Sequence, residues 1–155
     1  MSLWGELLAP HDISNMFLQF SIVSKIPSIN RTGPHNLDLL NAVFGILLAD
    51  ASAETRKRST RICFIQESSH AQYLGWLHQF FAKRGYCNPN KPKLLTRVGK
   101  GGKQRFYFKL KTWSFQSFNW IQEAFYVNKM KVVPVDHLLY QYLTPLALAF
   151  FLDYG

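Results

Sequence analysis

Arg105, Tyr107, Lys109 and Lys111 occupy every second position of the run Arg105 to Trp113, with Phe106, Phe108 and Leu110 between them. In a β-strand alternate side chains point to opposite faces, so this run presents a basic wet face backed by an apolar one. Three cations and a phenol on one face can hold an anion. They belong to a wider excess: residues 51–111 carry 14 basic against 2 acidic side chains, in a chain whose totals are 18 and 9. Charge spread over several elements in this way is the footprint of a polyanion-binding surface. Charge alone does not separate DNA, RNA and anionic lipid, and a solvated basic face is the plainer reading.

Other chemistry is scarce. Cys63 and Cys87, 24 positions apart, are the only cysteines and make neither a zinc site nor a disulfide framework. With 155 residues, 48% hydrophobic and 15% aromatic, the chain suits one domain with a sizeable core and does not suit disorder. A membrane span needs about 20 apolar residues, and the longest apolar stretch, Pro145 to Leu152, is far shorter; no membrane partner is expected. The N-terminus has neither a basic leader with an apolar block nor an Arg-rich presequence. A product acting in an organelle is therefore expected to be made there.

The elements that must carry the basic face follow from periodicity. Residues 1–33 mix Pro10, Pro27 and Gly33 with short apolar pieces and read as a leader with at most one short helix. A helix is expected from Asn36 as N-cap through Leu37, Leu40, Val43 and Leu47 to about Asp50. Within it Ala42, Gly45 and Ala49 fall on one face, where small side chains let another backbone approach closely. Arg61 to Gln66 reads as a strand, Ser69 to Lys83 as a helix, and Leu94 to Val98 with Arg105 to Trp113 as a hairpin around Gly99-Lys100-Gly101-Gly102-Lys103. Ser114 to Val127 returns to helical spacing, Lys131 to Pro134 is an extended stop, and Val135 to Gly155 reads as helix again. The class is α+β with a mostly antiparallel sheet.

Two stretches, Phe44-Gly45-Ile46-Leu47-Leu48-Ala49-Asp50-Ala51-Ser52 and Leu143-Thr144-Pro145-Leu146-Ala147-Leu148-Ala149 running on to Gly155, resemble the two motifs of the LAGLIDADG homing endonucleases. The likeness extends between them through Pro34 to Leu37, Tyr73 to Leu77, Phe115 to Ile121 and Lys131 to Pro134. It implies a repeat of type αββαββα over residues 34–142, with residues 143–155 opening a second motif helix. In that family two motif helices pack through small residues, and each delivers an acid to a DNA-binding saddle where divalent metal is held.

The resemblance implies that Asp50 is a catalytic metal ligand for Mg²⁺, since a hard cation takes oxygen donors. It implies that Lys131 is an electrostatic helper at the cleavage centre. Arg61, Gln66, Arg97, Lys100, Lys103, Arg105, Tyr107, Lys109 and Lys111 become contacts to double-stranded DNA. The second motif departs from the family pattern: aligned on Gly155, Tyr154 stands where the second acid belongs. Asp153 lies one position earlier, a helical rotation of roughly 100°, and is a metal ligand only if the helix end unwinds. Half of the saddle is expected to be missing, a lack that single-motif relatives meet by homodimerising through the motif helix. The implied function is Mg²⁺-dependent cleavage of DNA by an intron-encoded protein of the mitochondrion, with the chloroplast as alternative. An RNA-binding maturase acting on its host intron is the second reading, and an inactive remnant the third.

Overall fold

The computed structural model describes residues 35–152; the leader 1–33 and Asp153 lie outside the described residues. Along the chain come α1 (Leu37–Leu48), β1 (Ser52–Arg56), β2 (Ser59–Glu67), α2 (Ala71–Lys83), β3 (Leu94–Val98), β4 (Gln104–Lys111), α3 (Asn119–Phe125), β5 (Tyr126–Val127), β6 (Met130–Lys131), α4 (Asp136–Tyr142) and α5 (Pro145–Leu152). The first four strands form one antiparallel sheet in the order β1-β2-β4-β3, and β5 and β6 a separate ribbon. This is the expected α+β class.

Register divides the sheet into two faces, because directly paired residues share a side. Ala53 with Ile62, Phe64 with Leu110 and Gln66 with Phe108 fall on one side. Ile62, Phe64 and Leu110 are buried there in one cluster with Leu39, Phe44, Leu77 and Ile121 of the helices. Glu54 with Arg61, Cys63 with Lys111, Ile65 with Lys109, and Arg97 with Arg105 fall on the other side. The alternation expected of Arg105 to Lys111 thus follows the two faces of the sheet, with Leu110 in the core and Phe106, nearest the turn, exposed.

Strand β1 was not legible from pattern. Its sequence, Ser-Ala-Glu-Thr-Arg, is polar, and the two-residue turn that joins it to β2 is Lys57-Arg58, with φ of 49° and 70°. Such a turn needs left-handed backbone at both positions and normally advertises itself with Asn or Gly. Here tertiary contacts hold it: Asn119 Nδ2 donates to the Arg58 carbonyl at 2.9 Å while Thr60 Oγ1 donates to Asn119 Oδ1 at 2.8 Å.

The final segment is two helices and not one. Pro145 disfavours helical backbone at Thr144 and fits the first turn of a new helix. Thr144 Oγ1 accepts from the Ala147 amide at 3.3 Å and caps α5.

Helix α1 runs through the middle of the core, with Leu39 and residues 41–47 all buried. Its start is fixed twice. Asp38 in the first turn accepts from Arg84 at 3.0 Å, and the Arg84 side chain also donates to the Phe80 carbonyl at 2.9 Å and lies 3.7 Å over the Phe80 ring. His35, one residue before the cap, bonds Tyr86 Oη through Nδ1 at 2.6 Å and Ser117 Oγ through Nε2 at 2.5 Å. Phe115 and Phe118 enclose its ring. Burial pushes the His35 pKa down to about 4, so the neutral ring ties the start of α1 to the loop that precedes β3 and to the segment that follows β4.

A depressed folded pKa means that the unfolded chain takes up this proton first as pH falls. The His35 contribution to stability should therefore be complete above about pH 6.5 and decline as pH drops from there toward 4. Urea midpoints at pH 7 and pH 5 should differ more for the natural chain than for His35→Gln; equal differences would mean that His35 is not the titrating group.

Candidate nucleic-acid interface and helix-end site

The open face of the sheet collects Arg61, Arg97, Arg105, Tyr107, Lys109 and Lys111, six of the residues expected there. Lys100 and Lys103 are exposed at the β3–β4 turn, where Gly101 and Gly102 take φ of 78° and 76°. Gln66 corrects the expectation. It pairs with Phe108 on the helix side, is 5% exposed, and its Oε1 has no hydrogen-bond partner among the described residues. Strand register decides this: Gln66 is an even number of positions from Ile62 and Phe64, so it shares their side.

Pattern reading passed over the two acids on this face. Glu54 accepts from Arg61 Nε at 2.9 Å and Nη2 at 2.8 Å, and Glu67 accepts from Arg105 at 3.3 Å. Burial works to raise the Glu54 pKa, but the hydrogen bond and charge of Arg61, with Lys109 and Arg56, outweigh it and the net shift is downward. Glu54 thus stays ionised and fixes one guanidinium, while Arg97 lies 5.4 Å over the Tyr107 ring. Fixed guanidinium planes are the groups that read a guanine edge, whereas flexible ammoniums serve as point charges toward phosphate.

The second cluster lies where α1 ends. Asp50 is exposed in the turn just beyond Leu48. The β5–β6 turn, Asn128-Lys129 with φ of 50° and 65°, carries Lys131 back toward it. Lys131 Nζ donates to the Ala51 carbonyl at 2.6 Å and the Ala49 carbonyl at 3.4 Å. Partial burial lowers the Lys131 pKa and the charge of Asp50 opposes that shift, so the carboxylate and the ammonium sense one another.

Among the described residues the acid at this end is the exposed carboxylate of Asp50. Ala49 and Ala51, whose carbonyls could otherwise meet a cation, accept from Lys131. Among the described residues no three His, Cys, Asp or Glu side chains gather into a metal cage. Such a set does not suit a cation that needs an all-protein shell, but it fits Mg²⁺, which commonly takes one or two carboxylates and completes its shell with water and substrate phosphates. Cys63 and Cys87 are buried free thiols with pKa values pushed up by burial, that of Cys87 to about 12, and take no part.

The small-residue face of α1 meets α5. A Cβ built on Gly45 would collide with the Ala147 carbonyl oxygen and stand 2.8 Å from the Phe150 Cβ. Ala42 is fully buried and Ala49 half-buried on the same helix. The face through which a homodimer would form is therefore occupied by a helix of the same chain.

A four-stranded antiparallel platform, basic on its open face and backed by helices, with an acid and a lysine at the end of its central helix, is an α+β architecture whose open face suits a polyanion. The chain belongs to the LAGLIDADG DNA endonuclease family, which matches residues 40–155. It is 45% identical over 129 residues to the cytochrome b mRNA maturase bI2 of Debaryomyces hansenii, a match covering 82% of this chain and 48% of that protein. It is 42% identical over 140 residues to the same-named maturase of Saccharomyces cerevisiae, covering 85% and 33%. The chain thus spans about half or less of the length of these curated relatives. Among solved structures, the homing endonuclease I-WcaI bound to its DNA recognition sequence shares the fold, with a TM-score of 0.62 at 18% identity over 94% of this chain and 59% of that one.

Because a side chain at position 45 meets backbone on α5, overpacking there has no flexible neighbour to yield. Gly45→Leu should cost about 3 kcal/mol by urea denaturation, against about 1 kcal/mol for truncating the half-buried Leu48 to Ala. Similar losses at the two positions would remove the close-approach claim.

Proposed function

We propose that this chain is the DNA-binding and cutting unit of a LAGLIDADG endonuclease, holding duplex DNA on the open face of the sheet and hydrolysing phosphodiesters at the end of α1. The observation that carries this reading is the gathering of Arg61, Arg97, Arg105, Lys109 and Lys111 on the one sheet face that the helices leave open. Residues 34–142 act as one repeat, and 143–155 begin the helix of a second. I-WcaI, a fold neighbour bound to DNA, supports duplex DNA as the partner.

In this reading Asp50 offers oxygen to Mg²⁺, with Asp153 as the candidate second acid. Mg²⁺ bound there would supply Lewis-acid polarisation of the phosphate and of the attacking water. Lys131, oriented by the carbonyls of Ala49 and Ala51, holds Asp50 in place and sets positive charge beside the phosphate, where negative charge grows during hydrolysis. The arginines address base edges and the lysines the backbone.

A second reading, binding of intron RNA as a maturase, is favoured by the names of both curated relatives. A basic sheet meets an RNA backbone with the same chemistry, and this role would not need the second acid. Relatives that act on cytochrome b mRNA favour the mitochondrion over the chloroplast as the place of work.

Two measurements test these readings. Asp50→Asn should lower any Mg²⁺-dependent cleavage by roughly 10²- to 10⁴-fold, as a metal ion supplies several kcal/mol and about 1.4 kcal/mol is tenfold. Duplex affinity should stay within about twofold, since the shape is kept and no phosphate contact is lost. Cleavage unaffected by the change would end Asp50's assignment, while tight binding of host-intron RNA with no cleavage of intronless host-gene DNA would favour the maturase. Secondly, Lys109→Ala and Lys111→Ala should each reduce the salt slope of binding by about 0.9, whereas Lys83→Ala on α2, behind the sheet, should leave it unchanged. A slope equally reduced by all three would mean that the sheet face is not the binding surface.

A further inference from the structure

Strand β3 pairs with β4 only as far as Leu94 opposite Phe108. Beyond that point the next crossing is the single bridge between Cys87 and Thr112. Between the two, residues 88–93 bow away from the sheet and leave the Lys109 to Lys111 stretch of β4 without a strand on that side. The gap is a cleft of about 560 Å³. Lys91 and Lys93 come from the loop, Lys109 and Lys111 from the strand and Arg61 from β2; no Asp or Glu lines it.

The loop is built. His78, buried on α2, bonds the Asn88 carbonyl through Nε2 at 2.8 Å, and the Asn90 amide donates to Asn88 Oδ1 at 2.9 Å. Pro89 and Pro92 restrict what remains. Two lysines are therefore held opposite two others across one gap; Arg61 is ion-paired with Glu54, whose charge Lys109 also feels, and among the described residues no ion pair is formed by Lys91, Lys93 or Lys111. Five like charges brought together around one nearby acid raise the free energy of the empty cleft and favour an anion in it.

Size and spacing define that anion. One small ion would leave most of 560 Å³ to water, and Lys109 and Lys111, two residues apart on a strand, stand about 6.8 Å from one another. Several linked negative charges suit such a row. Lys109 and Lys111 also belong to the open face of the sheet, so the cleft continues that face sideways. The mix of cations differs along these strands: Arg97 and Arg105 pair next to the hairpin turn that carries Lys100 and Lys103, while four of the five cations of the cleft are lysines. An ammonium is a point charge without the planar fork that distinguishes bases.

We propose that this cleft, with Lys91 and Lys93 as its new members, is a sequence-independent anchor for the phosphodiester backbone of a DNA duplex lying on the sheet. The proposal rests on the DNA-binding reading above and names the part of the surface that positions the duplex without reading it. Backbone anchors fix register and orientation, leaving base edges to the arginine end.

The test uses the full 155-residue chain carrying Lys91→Ala with Lys93→Ala, and a second variant with both changed to Arg. Duplex DNA of two unrelated sequences and single-stranded DNA are the probes, and affinity is followed against salt. The Ala pair should weaken both duplexes equally, by about tenfold or more at low salt, and reduce the salt slope by about 2, from about 0.9 per lost phosphate contact. The Arg pair should restore both, and the thermal melts of all three proteins should coincide. A natural slope in the Ala pair would overturn the anchor, as would losses that differ between the two sequences. A loss confined to single-stranded DNA would overturn it in favour of a strand-binding cleft. Failure of the natural chain itself to bind duplex in a salt-dependent way would instead overturn the DNA-binding reading.

Discussion

Everything in the described structure depends on how closely α5 approaches α1 at Gly45. Absence of a side chain there lets the Ala147 backbone and Phe150 sit directly on the central helix. Phe150 then reaches past α1 to α2, with its ring centroid 5.1 Å from that of Trp76 and 5.0 Å from that of Phe80, and Tyr73 Oη donates to its carbonyl at 2.8 Å. One small residue therefore lets a single phenylalanine bind three helices. At the other side of α1, Phe44 stacks on Tyr142 of α4 at 4.6 Å and meets Phe125 of α3 at 5.1 Å. The helix that carries Asp50 at its end is thus gripped along its length, and the acid inherits that rigidity.

The sheet divides the remaining work by parity. In β2 and the later part of β4 residues of one parity feed the core, and the other parity carries the arginines and lysines. The two acids of this region, Glu54 and Glu67, lie on the open face, each against an arginine on the neighbouring strand. Both pairs are at least partly exposed, so their contribution to stability is small. Their larger effect is geometric: a guanidinium held by a carboxylate keeps its plane.

How much of this was legible follows from which signals are local. The alternation in β4 and the small-residue face of α1 are periodic within single elements, and both survive in the folded chain. Strand β1 was not legible, because it is polar and its turn, Lys57-Arg58, is held in left-handed backbone by Asn119, 61 positions from Arg58. The resemblance makes Gln66 a DNA contact, whereas counting two and four positions back to Phe64 and Ile62 places it on the core side. The split between α4 and α5 is signalled by Pro145, although the segment from Val135 onward reads as helix on both sides of it. The loop lysines of the cleft were invisible for another reason: nothing in their local sequence says that β3 stops pairing at Leu94. His35 likewise gains its meaning only from Tyr86 and Ser117, distant in sequence.

The placement of Asp50 is electrostatically awkward in isolation. A helix carries partial negative charge at its C-terminal end, so an acid is favoured in the first turn, where Asp38 sits, and disfavoured just past the last. The carbonyls of the last turn and just beyond it are the source of that negative potential. Lys131 answers both, since its ammonium takes the carbonyls of Ala49 and Ala51 and lies close enough to Asp50 for the carboxylate to oppose its loss of charge on burial. Asp50 thus stands exposed just past the end of a helix with an ammonium fixed beside it, and in the proposed reading that arrangement is what would present a carboxylate to a cation and positive charge to an approaching phosphate.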